Sequence, residues 1–162
     1  MNKVIVIGCP GAGKSTFSKK LSLILKLPLF HLDFIWHKPD RTNIAREEFD
    51  LRLADILGKS QWIIDGNYNR TLERRLAECD TVFLFDIPVE DCIIGATERV
   101  GKQREDIPWV ETELDSEFKS FIEAFPKESL PHIYELLEKY GEGRQIIIFK
   151  SRKEADLFLN NI

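Results

Sequence analysis

A layered α/β domain built on a parallel sheet is the fold this sequence predicts, and three features predict it. Short β-branched runs alternate with longer amphipathic stretches, the pattern of successive strand–helix–strand units. The first run, Lys3–Ile7 (KVIVI), is continuously apolar, as a strand buried on both faces must be. The glycine-rich segment after it, Gly8–Ser15 (GCPGAGKS), stands between that strand and an amphipathic helix. There the carboxyl edge of a parallel sheet opens to ligands. The chain has 162 residues, 43% of them hydrophobic and 31% charged, which suits one domain with a full core.

Each element follows in order. Lys14 to Leu25 sets Phe17, Leu21, Ile24 and Leu25 on one helical face, and Pro28 ends that helix. Leu29–Leu32 reads as the second strand, closed by Asp33. Arg46–Leu57 is helical through Phe49, Leu53, Ile56 and Leu57. Trp62–Ile64 is the third strand and runs into Asp65-Gly66; Thr71–Ala77 is a short helix with Arg74 and Arg75 on its polar face. Thr81–Phe85 is the fourth strand, and Pro88 suits the first turn of a helix, where its missing N–H would be unpaired anyway. Phe118, Phe121, Ile122 and Phe125 recur at helical spacing as core residues, and Glu135 with Lys139 reads as an i, i+4 surface pair. Gln145–Phe149 is the fifth strand; Ser151 and Glu154 open the last helix at capping-box spacing. Only Gly101–Glu113 breaks the rhythm. It is polar, contains Pro108 and has no period, which predicts a mobile lid-like segment or a plain surface connection.

Composition narrows the function. No apolar run approaches the roughly 18 residues of a membrane span, and the first residues do not resemble a signal peptide. Three widely spaced cysteines, Cys9, Cys79 and Cys92, fit neither a disulfide framework nor a zinc site. The expectation is a soluble, cytoplasmic protein. A net charge of −4 argues against a protein that holds duplex nucleic acid by a basic surface.

The chemistry concentrates at strand ends. Gly8 to Ser15 fits G-x-x-x-x-G-K-[ST]. Glycines let the backbone turn its N–H groups inward around phosphate, and the helix that follows points its positive end there. Gly8, Gly11, Ala12, Gly13, Lys14, Ser15 and Thr16 are therefore the expected ATP-binding residues. Lys14 would reach the β- and γ-phosphates, and Ser15 would ligate Mg²⁺. Asp65, ending the third strand, would face the metal's water shell beside Ser15. Asp33 stands where a carboxylate can orient or deprotonate an acceptor hydroxyl, with Trp36 placed to stack on a planar substrate. The alternative is that Asp33 caps a turn and Trp36 belongs to the core. Gly66, Asn67, Tyr68 and Arg70 follow as acceptor-side candidates. Arg99, Lys102 and Arg104 form a cationic cluster at the start of the lid-like segment, suited to charge spread over a transferring phosphoryl group. His31 reads as a packed or surface residue.

Taken together, these motifs resemble small nucleotide kinases of the adenylate kinase type. Asp65, Gly66 and Arg70 match their Asp-Gly strand end and following arginine. Asp86, Pro88 and Arg99 match their "L-D-x-P" strand and lid-bearing helix. LPLFHLDFIWHKPD, REEF, WIIDGNY and IIIFKSRKEADLFL resemble more fully the bacterial DNA topology modulation (FlaR-like) group of adenylate kinase-related P-loop ATPases. That resemblance implies a five-stranded parallel sheet of order 2-3-1-4-5, and Ser151 and Arg152 near the adenine. The sequence departs from adenylate kinases between the second and third strands. The arginine they carry there for the acceptor phosphate has no clear counterpart, with Arg41 or Arg46 as stand-ins. Asp33 matches instead the acidic residue that shikimate-, gluconate- and nucleoside-type kinases keep for the substrate hydroxyl. The expected function is transfer of the ATP γ-phosphate to a small acceptor. A slow ATPase or nucleotide-dependent regulator, and a nucleic-acid-associated modulator, are the alternatives.

Overall fold

The computed structural model describes residues 1–162, and its sheet has five parallel strands in the order β2-β3-β1-β4-β5. β1 (Lys3–Gly8) lies between β3 (Trp62–Asp65) and β4 (Thr81–Phe85). β2 (Leu29–His31) and β5 (Gln145–Phe149) form the edges. The three central strands are buried almost throughout, which is why their sequences run apolar without alternation. On β5, Gln145 and Ile148 reach solvent.

Handedness assigns the helices to two layers. α1 (Lys14–Leu25) carries the chain from β1 across β3 to β2, while α4 (Asn69–Glu78) carries it from β3 across β1 to β4. Right-handed crossovers in opposite directions must lie on opposite faces. α8 (Arg152–Asn160) packs beside α1, and α7 (Leu130–Tyr140) beside α4. On the α1 face, Phe17 meets the rings of Phe83, Phe85 and Phe149 edge-on at 4.9–5.4 Å, an arrangement that aromatic quadrupoles favour. The remaining helices are α2 (Leu32–Trp36), α3 (Arg46–Leu57), α5 (Val89–Glu98) and α6 (Ser116–Glu128). No helix is long and apolar enough to cross a membrane.

Five local expectations change. β2 stops at His31, and Leu32 turns inward to begin α2, so Asp33 lies in the first turn of a short helix rather than at a strand end. Arg75 is not on a polar face. It is fully buried, because it falls in register with Leu72 and Leu76 on the side of α4 that meets the sheet; Arg74 is exposed. Phe121 is exposed while Ile122 and Phe125 form the core side of α6. Lys139 reaches Glu73 on α4 at 2.7 Å instead of Glu135, linking the two neighbouring helices. The segment 101–113 forms no regular element, yet it closes on itself through the Gly101 N–H donating to the Glu111 carbonyl (2.7 Å), and it buries Asp106 and Ile107.

Candidate active site

The phosphate loop is held from both flanks. Asn67 accepts from the Gly8 N–H (2.8 Å) and donates to the Gly8 carbonyl (2.6 Å), fixing where β1 ends. Arg152 donates to the carbonyls of Gly11 and Asp91, each at 2.8 Å, tying loop to α5. Gly11 has φ +81°, and a Cβ there would collide with the Cys92 carbonyl of α5, so the loop closes only with glycine at this point. No side chain caps the N-terminus of α1, which leaves its N–H groups facing the loop. The Lys14 ammonium rests on the Cys9 carbonyl at 3.0 Å. Burial lowers the Lys14 pKa and Arg99 adds to that, against the opposing pull of Asp65. The Cys9 thiol beneath is pushed up by its hydrogen bond with Cys92 and by burial, so it stays neutral.

Beside the loop lies an oxygen-rich corner. The Ser15 hydroxyl donates to Asp65 Oδ2 (2.7 Å) and stands 3.1 Å from Asp106 Oδ2. His31 Nδ1 is 2.8 Å from the same Asp65 oxygen. Burial opposes charge on His31, but its bond to Asp65 and the fields of Asp65, Asp106 and Asp33 outweigh it and raise the imidazole pKa. Asp65 Oδ1 is buried without a hydrogen-bond partner. An orphaned carboxylate oxygen next to a serine hydroxyl fits the all-oxygen demand of Mg²⁺, and a buried oxygen without a partner needs such compensation. Ser15 and Asp65 are the residues that would hold it.

Two cavities open from this corner. One, of about 530 Å³, is lined by Gly11, Gly13, Thr16, Lys102 and Arg152. The other, of about 360 Å³, is lined by Asp33, Gly66, Asn67, Tyr68 and Trp109 among others. Lys14, Ser15, His31, Arg99, Arg104 and Asp106 border both. Arg104 is bound twice by Asp106 (2.9 and 2.5 Å) and once by Glu111 (3.1 Å). Arg99 has no such partner: its Nε is buried and unpaired, and burial together with Arg104 lowers its pKa. Asp33 accepts from the Tyr68 hydroxyl at 2.6 Å. Tyr68 itself takes the left-handed conformation (φ 39°) and stacks on Phe49 at 5.4 Å. That backbone is secured by Arg75, which donates to the carbonyls of Gly66 (2.8 Å), Asn67 and Tyr68 (3.2 Å).

Several candidates stand elsewhere. Trp36 packs edge-on against Phe49 at 5.6 Å and lines neither of these cavities; it supports the Tyr68 cluster. Arg70 is turned away in an exposed pair with Asp50 (3.1 and 2.8 Å). Arg41 lies over the Trp109 ring, 5.8 Å from its centroid, and Arg46 is exposed at the start of α3. Asp86 accepts from Tyr134 (2.7 Å) and Lys150 away from both cavities, and Ser151 caps α8 by accepting from the Glu154 N–H (3.2 Å). Sequence reasoning missed Arg75, Asp106 and Trp109. Arg75 carried a signal, its i+3 and i−1 spacing to Leu72 and Leu76; Asp106 and Trp109 carried none, because their placement depends on how an irregular segment folds back.

With this geometry in view, the chain can be set beside known proteins. No protein-family model matches the chain. It is 29% identical over 86 residues to an adenylate kinase of Pseudothermotoga lettingae, covering 52% of this chain and 38% of that protein. It is 28% identical over 88 residues to an adenylate kinase of Thermotoga maritima, covering 53% and 39%. The match thus spans less than half the length of these relatives. Among solved structures, a shikimate kinase from Acinetobacter baumannii in complex with shikimate superposes with a TM-score of 0.60 at 16% identity, covering 99% of this chain and 92% of that one. The shikimate kinase of Bacteroides thetaiotaomicron gives a TM-score of 0.57 at 17% identity, covering 98% and 94%. The chain has the P-loop kinase fold and is a distant relative of the adenylate kinases.

Proposed function

We propose that this protein transfers the γ-phosphoryl group of ATP to a small-molecule acceptor. The observation that carries the proposal is that two separate cavities meet at Lys14, Ser15 and Arg99. An ATPase needs one chamber for nucleotide and a water; a phosphotransferase needs a second chamber for the acceptor, in line with the first. The larger cavity, beside the phosphate loop and Arg152, is the ATP side. The smaller one, beside Asp33 and Tyr68, is the acceptor side.

The roles follow from position. The loop N–H groups and Lys14 hold the β- and γ-phosphates. Arg99, unpaired and bordering both cavities, meets the charge that spreads over the phosphoryl oxygens. Ser15 and Asp65 would hold Mg²⁺, which when bound would neutralise part of that charge. Asp33 orients the acceptor hydroxyl and takes its proton as the new O–P bond forms and the bond to the β-phosphate bridging oxygen breaks, releasing ADP. Arg104, fixed by Asp106 and Glu111, closes the site from the 101–113 segment. The finer kinship with the topology modulation group rests on WIIDGNY and the C-terminal IIIFKSRKEADLFL. Kinship of that kind leaves the reaction to be read from the site.

The test is acceptor-dependent ADP formation. A mixed panel of nucleosides, nucleoside monophosphates and small polyols should stimulate ADP release severalfold over ATP alone, with the stimulation lost in Asp33→Asn. Unstimulated release, equal in wild type and Asp33→Asn, contradicts the proposal and favours an ATPase.

A further inference from the structure

Resting on the phosphotransferase reading, we infer that the acceptor is an uncharged hydroxyl compound with a flat apolar face, of nucleoside type, and not a phosphate monoester or a carboxylic acid. The charges lining the acceptor cavity carry this. Its three permanent cations are Lys14, Arg99 and Arg104. Lys14 and Arg99 also border the ATP cavity, where the transferring phosphoryl group requires them. Arg104 is already matched by two carboxylates, Asp106 and Glu111. The arginines that would otherwise grip an acceptor anion are committed elsewhere: Arg70 to Asp50, and Arg41 to the face of Trp109 and the Val110 carbonyl. Of the four carboxylates in the same lining, Asp106 and Glu111 are matched by Arg104, and Asp65 is engaged by Ser15 and His31, which leaves Asp33. A second anion placed here would be desolvated beside Asp33 with no unspent cation, which is unfavourable.

The other wall selects for a flat apolar partner. Tyr68, Trp109, Phe118 and Phe121 line the cavity together with Ile107. Trp109 is steadied by His37, ring to ring at 5.0 Å, and by Arg41 over its ring. Phe121 is 46% exposed although its helix offers a buried face, so the cavity keeps an aromatic side chain at solvent that the core does not use. Aromatic faces of this kind hold planar rings by stacking. At the polar end, the Tyr68 hydroxyl engages Asp33 Oδ1 (2.6 Å), which aims the carboxylate and leaves its second oxygen for an acceptor hydroxyl. A cavity of about 360 Å³ lies within the range of small-molecule sites.

Titration calorimetry tests this without turnover. The protein is saturated with a non-hydrolysable ATP analogue and Mg²⁺, which fills the first cavity. Adenosine, guanosine, cytidine and uridine are then each titrated against their own 5′-monophosphates, with shikimate as a carboxylate control. At least one nucleoside should bind about tenfold or more tightly than its monophosphate and than shikimate, and Trp109→Ala and Tyr68→Phe should each weaken it by about tenfold. A monophosphate or shikimate binding more tightly than every nucleoside overturns the inference, as does no nucleoside binding at all. The two levels of the account separate cleanly. Phosphoryl transfer to a monophosphate or to shikimate would keep the phosphotransferase and sink this inference. A nucleoside that binds here but never becomes phosphorylated would sink the phosphotransferase and keep the binding site.

Discussion

The two cavities are built in different ways. The phosphate-loop wall of the larger cavity, the proposed ATP side, comes from one contiguous stretch: a buried strand, three glycines with positive φ, and the uncapped start of α1, with Arg99, Lys102 and Arg152 added from later segments. Its geometry is local, set by backbone conformations that few residues other than glycine adopt. Beyond the shared border, the smaller cavity, the proposed acceptor side, draws on four distant segments: α2, the turn into α4, the 101–113 segment and α6. Nothing local holds these together. They are joined by Asn67 on Gly8, Tyr68 on Asp33, Arg75 under the turn, and Asp106 on Ser15. A site of the first kind is written in spacing, while one of the second kind exists only once the sheet has assembled it.

The sharpest way to separate the two sides is to remove charge without removing structure. Lys14→Met should lower turnover about a thousandfold, since an electrostatic contribution realised in the transition state is lost. Its melting temperature should stay near wild type, because the ammonium's one protein hydrogen bond is to the Cys9 carbonyl. The test pairs a coupled ADP assay with differential scanning calorimetry. Gly11→Ala attacks the same side through shape. A Cβ meets the Cys92 carbonyl at φ +81°, so unfolding in urea should reveal a loss of about 3 kcal/mol.

The acceptor side should break at a distance from its own cavity. Arg75 is fully buried and supports three carbonyls of the Gly66–Tyr68 turn, whereas Arg70, five residues earlier, is exposed on Asp50. Arg75→Met should cost about 3 kcal/mol in urea unfolding by leaving those carbonyls unpaired. Arg70→Met should cost less than about 1 kcal/mol and leave turnover unchanged. Equal effects of the two would contradict the assembly described here.

The smallest effect calibrates the others from the opposite end of the sheet. Asp80 accepts from the N–H groups of Asn2 (2.8 Å) and Lys3 (3.0 Å), joining the starts of β4 and β1. Burial opposes its charge, but bonds from Thr81, Asn2 and Lys3 prevail and lower its pKa below the ordinary 3.8. A carboxylate depressed in the folded state adds stability above its unfolded pKa, and that stability fades as pH falls through the folded value. Asp80→Asn should therefore lose about 1 kcal/mol at neutral pH with no change in turnover, and the gap to wild type should close as pH falls below about 3.8.

This contrast also explains what could be read before the structure. The strand–helix alternation, the phosphate loop and the place of Asp65 at the end of β3 follow from motif spacing and periodicity, while its hydrogen bond with Ser15 is seen only in the structure. Asp33 lines a cavity beside the phosphate loop, but not from a strand end: one inward turn at Leu32 moves it from strand to helix. The charge of Arg75 points to the surface, but its register with Leu72 and Leu76 points inward, and the register prevails. Asp106 and Trp109 sit in a segment with no period, so only its tertiary return could place them.

The central claim is that the γ-phosphate crosses from one cavity to the other. Its most direct test follows that phosphorus by ³¹P NMR, with ATP, Mg²⁺ and a mixed nucleoside and polyol panel, in wild type and Asp33→Asn. The account predicts a new phosphate ester in the wild type that is absent in Asp33→Asn while ATP still binds. Inorganic phosphate as the sole product, formed at the same rate by both proteins, would contradict it.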